Sequence, residues 1–272
     1  MLEQNFKKNK EKPLFSIITV VYNGATYLEE TILSVLKQSY ENIEYIIIDG
    51  GSTDETLSII NRYAGVIEKW VSEKDEGIYD AMNKGIKMAK GEIIGLINSG
   101  DYYFPNVFSV ISREFKNDSV DIVFGNKVSF NDELNLTKEV SIDLPKNAKE
   151  VMLHCVHPAV FVRKNVYKKT CFNSDYKIAA DYDFFIRAFY SGFRFKKINK
   201  TISVMRTGGA SSKTNFETLT ITKLYFGYSS MILELKKLIK YMVIKYFFYL
   251  LCRSARIKKK VYLIRGWNAS NL

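Results

Sequence analysis

The chain has 272 residues, 47% hydrophobic and 25% charged, an ordinary globular composition with room for one large α/β domain or two small ones. The net charge is +11, yet residues 213–272 hold 12 Lys and Arg against 2 Glu, while the rest carries 28 basic and 27 acidic residues. Charge confined to one segment that is also rich in Tyr and Phe suits an anionic membrane surface, not a nucleic-acid groove.

Met1 to Lys12 is polar and lysine-rich, which reads as neither a signal peptide nor a membrane anchor. Phe15–Val21 is a continuous apolar, β-branched run, the mark of a strand buried on both faces. Thr26-Tyr27-Leu28-Glu29 is a capping-box pattern, and the helix behind it places Leu28, Ile32, Val35 and Leu36 on one stripe. Tyr45–Ile48 predicts a second buried strand, followed by Asp49-Gly50-Gly51 and a second capping box at Ser52-Thr53-Asp54-Glu55. The helix after it carries Leu57 and Ile60. Val66–Val71 predicts a third strand, and Ile78, Ala81, Met82, Gly85, Ile86 and Ala89 recur at helical spacing. Ile93–Ile97 predicts a fourth strand, ending on Asn98-Ser99-Gly100-Asp101. Strands alternating with helices predict an α/β fold, a Rossmann-like, mostly parallel sheet with helices on both faces.

The style changes after Asp101. Asp121–Phe124 and Lys127–Phe130 read as short strands with Gly125-Asn126 as the turn, and 131–150 as loop. Ala159–Val162 is a strand candidate, Ala180–Tyr190 a helix with Phe184, Phe185, Ala188 and Phe189 inward, and Phe195–Val204 is extended. The ordered core is expected to end near Arg206. The tail, 220–260, lacks Pro and is helix-prone, and its uncharged stretch Tyr246–Cys252 is too short to cross a bilayer. Cys155, Cys171 and Cys252 are far apart with no Cys-x-x-Cys pair, which points to a reducing cytoplasm and against disulfides or structural zinc.

Four segments carry candidate chemistry. Asp49 sits at a strand's carboxyl end, where open α/β sheets bind ligands and where an acid can accept hydrogen bonds from a base or ribose. Asp101 follows the fourth strand, and a carboxylate there suits Mg²⁺ or Mn²⁺ shared with a diphosphate. Ser72 to Gly85 opens a helix with several acids near its start, including Asp75, Glu76 and Asp80, followed by Lys84. Ala180-Asp181-Tyr182-Asp183 places two carboxylates at i and i+2 of one helix start, so that only one can face a cleft. His154, Cys155 and His157 look like a metal cluster, but their spacing in an extended segment does not converge.

Asp49-Gly50-Gly51-Ser52-Thr53-Asp54 resembles the Asp-Asp-Gly-Ser-Thr-Asp signature of family 2 glycosyltransferases, with Gly50 in place of the second acid. Asn98-Ser99-Gly100-Asp101 is similar to that family's Asp-Ser-Asp-Asp, matching only at Asp101. Gly77-Ile78-Tyr79-Asp80-Ala81-Met82-Asn83-Lys84-Gly85 matches a segment of a polysaccharide-building subgroup, and Ala180-Asp181-Tyr182-Asp183-Phe184-Phe185-Ile186-Arg187 is similar to the family's Glu-Asp-Tyr-Glu helix. The resemblance spans Pro13 to about Lys213. It implies a GT-A fold with a nucleotide-binding half at 14–101 and an acceptor half at 102–212, while composition makes 1–13 a polar leader and 213–272 a basic, membrane-associating tail. The resemblance implies inverting transfer of a sugar from a nucleotide-diphosphate donor, UDP by family habit, to a glycan or lipid-linked acceptor, and the basic tail is expected to bring the chain to the inner membrane face, where a lipid-linked acceptor would lie. By the same resemblance Asp181 is the base and Asp101 the metal residue. Asp49, Tyr22, Asp75, Asp80 and Lys84 attend the nucleotide-sugar, and His157, in a His-Pro pair, belongs to the acceptor wall. Where many members offer a late His to the metal, this chain has Arg206-Thr207-Gly208-Gly209. That loop is expected to close on the diphosphate with Arg206 or Lys213 as charge partner, or else to lead out into the tail. A nucleotidyltransferase is disfavoured because Tyr22-Asn23-Gly24-Ala25 stands where a Gly-rich basic loop belongs. A non-enzymatic membrane- or nucleic-acid-binding protein would explain the tail but not the order of Asp49, Asp101 and Asp181.

Overall fold

The structure, a computed structural model, describes residues 12–141, 143–150, 157–209, 216–251 and 255–270. His154, Cys155, Lys213 and Cys252 lie outside them, as does most of the leader. The first half is built from β1 (Phe15–Val21), α1 (Ala25–Leu36), β2 (Ile43–Asp49), α2 (Thr56–Arg62), β3 (Lys69–Ser72), α3 (Ile78–Met88) and β4 (Ile93–Asn98). Its strands are all parallel, in the order β3-β2-β1-β4. Every residue of β1 is buried, because helices cover both faces of the sheet. Alternation along the strand divides the core in two. Phe15, Ile17 and Val21 join the α1 and α2 side, while Ile18 and Val20 join the α3 side. Each large apolar side chain taken fully out of water contributes roughly 1.5–3 kcal/mol.

The second half continues through β5 (Tyr102–Tyr103), α4 (Val107–Glu114), β6 (Ile122–Asn131), β7 (Leu136–Val140), β8 (Val160–Arg163), α5 (Lys164–Lys169), α6 (Ala180–Tyr190) and β9 (Phe195–Arg206). Then come α7 (Glu217–Leu251), α8 (Ala255–Ile264) and β10 (Asn268–Ala269). Here the sheet is mixed: β8 runs antiparallel to β4 and β6, and β9 runs parallel to β6. The order of strands reverses at β1, so the carboxyl ends of β1 and β4 splay around a crevice, the place where such sheets take ligands.

The structure departs from the sequence reading in several places. Neither capping box forms: α1 begins at Ala25 and α2 at Thr56, each without a cap from its own N-cap side chain. Asp54 serves both helices instead, accepting the N–H groups of Ala25 (3.1 Å) and Thr56 (3.0 Å). The third strand starts only at Lys69, because Val66 and Ile67 are still tied by their N–H groups to the Tyr63 carbonyl oxygen. Gly125-Asn126 is not a turn. The strand β6 runs through it with a register shift against β9, and a Cβ on Gly125 would lie 2.5 Å from the Lys200 carbonyl oxygen. The stretch 131–150, expected to be loop, contains β7, which pairs with β6 around fully buried Leu136. The core also does not end at Arg206: Ile221 and Thr222 of α7 are fully buried, past the expected boundary at 212. Gly227, with φ of 79°, then kinks α7. Beyond the kink Tyr228, Ile232, Leu233, Ile239, Tyr241 and Val243 are exposed. Among the described residues no helix is long and apolar enough to cross a membrane.

Candidate active site

A cleft of about 730 Å³ opens at the carboxyl ends of β1 and β4. Tyr22, Asn23 and Gly24 line it from the end of β1, and Asp75, Gly77 and Tyr79 from the entry to α3. Asn98 to Asp101 form the turn after β4, His157 and Asp181 come from the second half, and Met205 to Gly209 close the end of β9. The turn after β4 is pinned from α1. The Thr31 hydroxyl donates to the Asp101 carbonyl oxygen (2.7 Å) and accepts the Gly100 N–H (3.0 Å).

Asp181 lies on the cleft floor at the start of α6. It is half-buried, with protein packed closely behind it, and that burial pushes its carboxyl up to about 6. The Tyr79 hydroxyl sits between the Ile178 carbonyl oxygen (2.8 Å) and Asp181 Oδ1 (3.1 Å), fixing the direction of the carboxylate. Asp183, two residues on, points away into the protein. It is 4% exposed, pairs with Arg187 at 2.7 Å and accepts the Tyr225 hydroxyl at 2.7 Å.

Asp101 is buried, and loss of water raises its carboxyl to about 7 although its Oδ1 accepts the Arg206 N–H at 3.0 Å. The Arg206 guanidinium is stacked 4.4 Å from the centre of the Tyr27 ring and ion-paired with Glu30 and with Asp132, the latter at 2.6 Å. Lys127 is packed against Met205, its Nζ 3.0 Å from Sδ, and feels the charges of both Asp101 and Asp181. Burial lowers its pKa. His157 is 7% exposed, and both ring nitrogens lack a partner among the described residues. Burial against Phe172 and Phe185 lowers its pKa to about 4, so the ring is neutral, with one N–H and one lone pair unspent.

Three expected site residues are elsewhere. Asp49 is fully buried, and its carboxylate accepts the N–H groups of Gly51 (3.1 Å) and Ser52 (3.0 Å) and the hydroxyls of Ser52 and Ser72. It shapes the loop after β2 and does not line the cleft. Asp80 and Lys84 lie on the outer side of α3, because positions 80 and 84 are one turn apart while Tyr79, Ala81 and Met82 face inward. They pair with each other at 3.2 Å, and Lys84 also pairs with Glu73 at 3.0 Å. Conversely, sequence reasoning passed over Asp132, Lys127 and Tyr79. Tyr79 was within reach, since it stands one position from a named acid inside the Gly77–Gly85 segment. Asp132 gave no signal, because it reaches Arg206 only through the hairpin of β6 and β7.

Residues 16–193 match the family described as Glycosyl transferase family 2. The chain belongs to that family. This glycosyltransferase is 30% identical over 183 residues to a PGL/p-HBAD biosynthesis glycosyltransferase of Mycobacterium bovis, covering 65% of this chain and 70% of that one. Among solved structures, S. aureus TarS in complex with UDP-GlcNAc superposes with a TM-score of 0.63 at 19% identity, over 78% of this chain and 65% of that chain. The mannosyltransferase PcManGT from Pyrobaculum calidifontis, in complex with GDP-Man and Mn²⁺, superposes with a TM-score of 0.55 at 17% identity, over 74% and 59%. The shared fold is GT-A.

The residue types in the turn after β4 of this glycosyltransferase are ones that could hold a divalent ion. The turn that lines the cleft there carries two hard oxygens, the Asp101 oxygen not used by Arg206 and Asn98 Oδ1, which is buried and without a partner among the described residues. Among the described residues no group of three or more His, Cys, Asp or Glu is placed to hold a metal. That set fits Mg²⁺ or Mn²⁺ completed by phosphate oxygens, the usual way Mg²⁺ is held, and does not fit a protein-built cage.

Proposed function

We propose that the chain transfers a sugar from a nucleotide-diphosphate donor, UDP above others, to a hydroxyl of a glycan or lipid-linked acceptor, with inversion. The observation that carries this reading is the meeting of Asp101 and Asp181, 80 positions apart, in one cleft at the switch point of the sheet. Asp181 takes the proton of the acceptor hydroxyl as that oxygen bonds to the anomeric carbon. The bond from that carbon to the diphosphate breaks, and the diphosphate leaves with the electron pair. The raised pKa of Asp181 makes it a stronger base than an ordinary carboxylate while leaving it mostly ionised at neutral pH. Held by Asp101 and Asn98 with phosphate oxygens, Mg²⁺ or Mn²⁺ would neutralise the leaving diphosphate. Arg206 holds the turn at Asp101 through its N–H, and neutral His157 forms part of the cleft wall with both ring nitrogens buried and without a partner among the described residues.

A panel of UDP-, GDP- and dTDP-sugars, incubated with the protein with and without Mn²⁺, tests class and carrier together. The expected result is release of UDP, faster with Mn²⁺. Failure to bind or hydrolyse any member overturns the reading. In calorimetry, UDP is expected to bind at least about tenfold more weakly in EDTA than in Mn²⁺, a difference near 1.4 kcal/mol. Mn²⁺ alone should bind weakly, since one carboxylate is a poor chelator. Equal UDP affinity in EDTA and Mn²⁺ removes Asp101 and Asn98 from the metal role.

The exposed apolar residues past Gly227, interleaved with Lys236, Lys237 and Lys240, support a peripheral site for this enzyme on an anionic, inner-face membrane surface. A chain ending at Tyr228 should stay in the supernatant when sedimented with anionic vesicles, while the full chain pellets. Raising salt should release the full chain, because each basic residue near the surface contributes about 1 kcal/mol. Vesicle binding that is indifferent to salt counts against this site.

A further inference from the structure

The residue after Asp49 is Gly50, and the space beside it is already filled. A Cβ on Gly50 would lie 3.0 Å from Asp75 Cγ and closer still to its Oδ2. An acidic side chain at 50 and the Asp75 carboxylate therefore compete for one volume. Asp75 reaches that volume from the loop between β3 and α3, where its Oδ1 accepts the Gly77 N–H at 2.9 Å. Its Oδ2 takes no hydrogen bond or ion pair from the described residues, and Asp75 lines the cleft.

The acids of the cleft fall into two groups. Asp101 and Asp132 gather around Arg206, and Asp101 and Asp181 around Lys127. Asp75 stands apart from both, at the β2 and β3 end, and Asp49 beneath it has its carboxylate fully engaged. A nucleotide-diphosphate whose phosphates lie toward Asp101 would extend its nucleoside toward Asp75.

On the donor reading given above, we propose that Asp75 reads the nucleobase, supplying from the β3–α3 loop a carboxylate that Gly50 leaves room for. A carboxylate only accepts hydrogen bonds at neutral pH. It therefore selects a base that turns a ring N–H to it, as in uracil, thymine or guanine. Cytosine turns a ring-nitrogen lone pair to the same place and has only its exocyclic amino group, farther along that edge, to donate, so it binds more weakly. An unpaired or repelled polar group is what makes such discrimination large.

Calorimetry of the full chain with UDP and CDP in Mn²⁺ tests the assignment, with thermal melts confirming that each variant is folded. The wild type should bind UDP at least about tenfold more tightly than CDP, the range expected for a hydrogen bond to a charged acceptor. Asp75→Asn, whose amide both donates and accepts, should bring the two affinities to within about threefold. Gly50→Asp alone should weaken both ligands, and Gly50→Asp combined with Asp75→Gly should restore the preference for UDP. Asp75→Asn that keeps the wild-type ratio overturns the assignment and leaves the donor reading standing. A wild type that binds UDP and CDP equally does the same. A wild type that binds no nucleotide overturns both. A double variant as unselective as Asp75→Asn overturns the shared-volume argument.

Discussion

Asp181→Asn is expected to lower turnover by on the order of 10²–10⁴, the usual cost of losing a positioned general base, while UDP affinity stays within about threefold of wild type. Asparagine keeps the shape of the side chain and can still meet the Tyr79 hydroxyl, but it cannot take up the acceptor's proton. Donor binding survives because Asp75, Asn98 and Asp101 come from other segments of the cleft. The pH profile supplies an independent readout. Burial raises the folded-state pKa of Asp181 to about 6 and that of Asp101 to about 7, and each works only when ionised, so wild-type turnover should fall in two steps as pH drops through about 7 and about 6. The residual activity of Asp181→Asn should lack the lower step and keep the upper one, which belongs to Asp101. Asp183→Asn should behave differently. It weakens a buried pair with Arg187 and a bond from Tyr225, so it lowers the melting temperature and touches turnover little. Near-normal transfer by Asp181→Asn, or a folded and inactive Asp183→Asn, would sink the assignment of the base.

The second large effect is expected at Glu217, outside the cleft and beyond the segment that matches the family. Its carboxylate accepts the N–H groups of Lys177 (2.7 Å), Ile178 (2.9 Å) and Ala179 (2.9 Å), the residues that lead into α6. No side chain of α6's own N-cap does this. The first turn of α7 therefore holds the start of the helix that carries Asp181, and the Ile178 carbonyl oxygen in turn meets Tyr79. Glu217→Ala leaves three N–H groups without that acceptor. Hydrogen bonds to charged groups contribute about 1.5–3 kcal/mol each, but these share one carboxylate, so a total of roughly 2–3 kcal/mol is expected. For a chain of this size that is a fall in melting temperature of roughly 4–12 °C. Turnover should fall as well, by about tenfold, because a shift of a reacting group of the order of 1 Å is costly. Glu217→Gln, which keeps an acceptor and loses the charge, should recover part of both. A chain ending at Tyr228 retains Glu217 and should keep most of its stability, whereas one ending at residue 213 should not. An unchanged melting temperature and rate in Glu217→Ala would show that α6 is positioned without it.

Much of this was legible in the sequence. The apolar runs at Phe15–Val21, Tyr45–Ile48 and Ile93–Ile97 read as strands buried on both faces, since no amphipathic alternation offers a wet side. Helical spacing placed α1, α3 and α6 for a similarly local reason: a helix facing a core must repeat its apolar positions every three or four residues. The motif segments led to Asp75, Asp101, His157 and Asp181, which all line one cleft, and to the family.

What the sequence could not decide was which way a side chain faces where periodicity ends. Asp49 stands at a strand end, and whether its carboxylate turns outward or into the loop depended on Ser52 and Ser72 being near enough to bind it. Ser72 is brought there only by the register of β2 against β3. Asp80 and Lys84 share a segment with Tyr79, and only the docking of α3 on the sheet determined which side of the helix meets the cleft. Gly125 reads as a turn locally, yet it is the close approach of β9 that excludes a side chain there. Glu217 sits 36 positions past Asp181 in what reads as the start of a tail, and its partners are backbone N–H groups, which leave no trace in residue type. Local patterning settles which faces are buried because burial is a sum over many residues. The direction of a single polar side chain rests on a few long-range hydrogen bonds, and those exist only once the tertiary structure has formed.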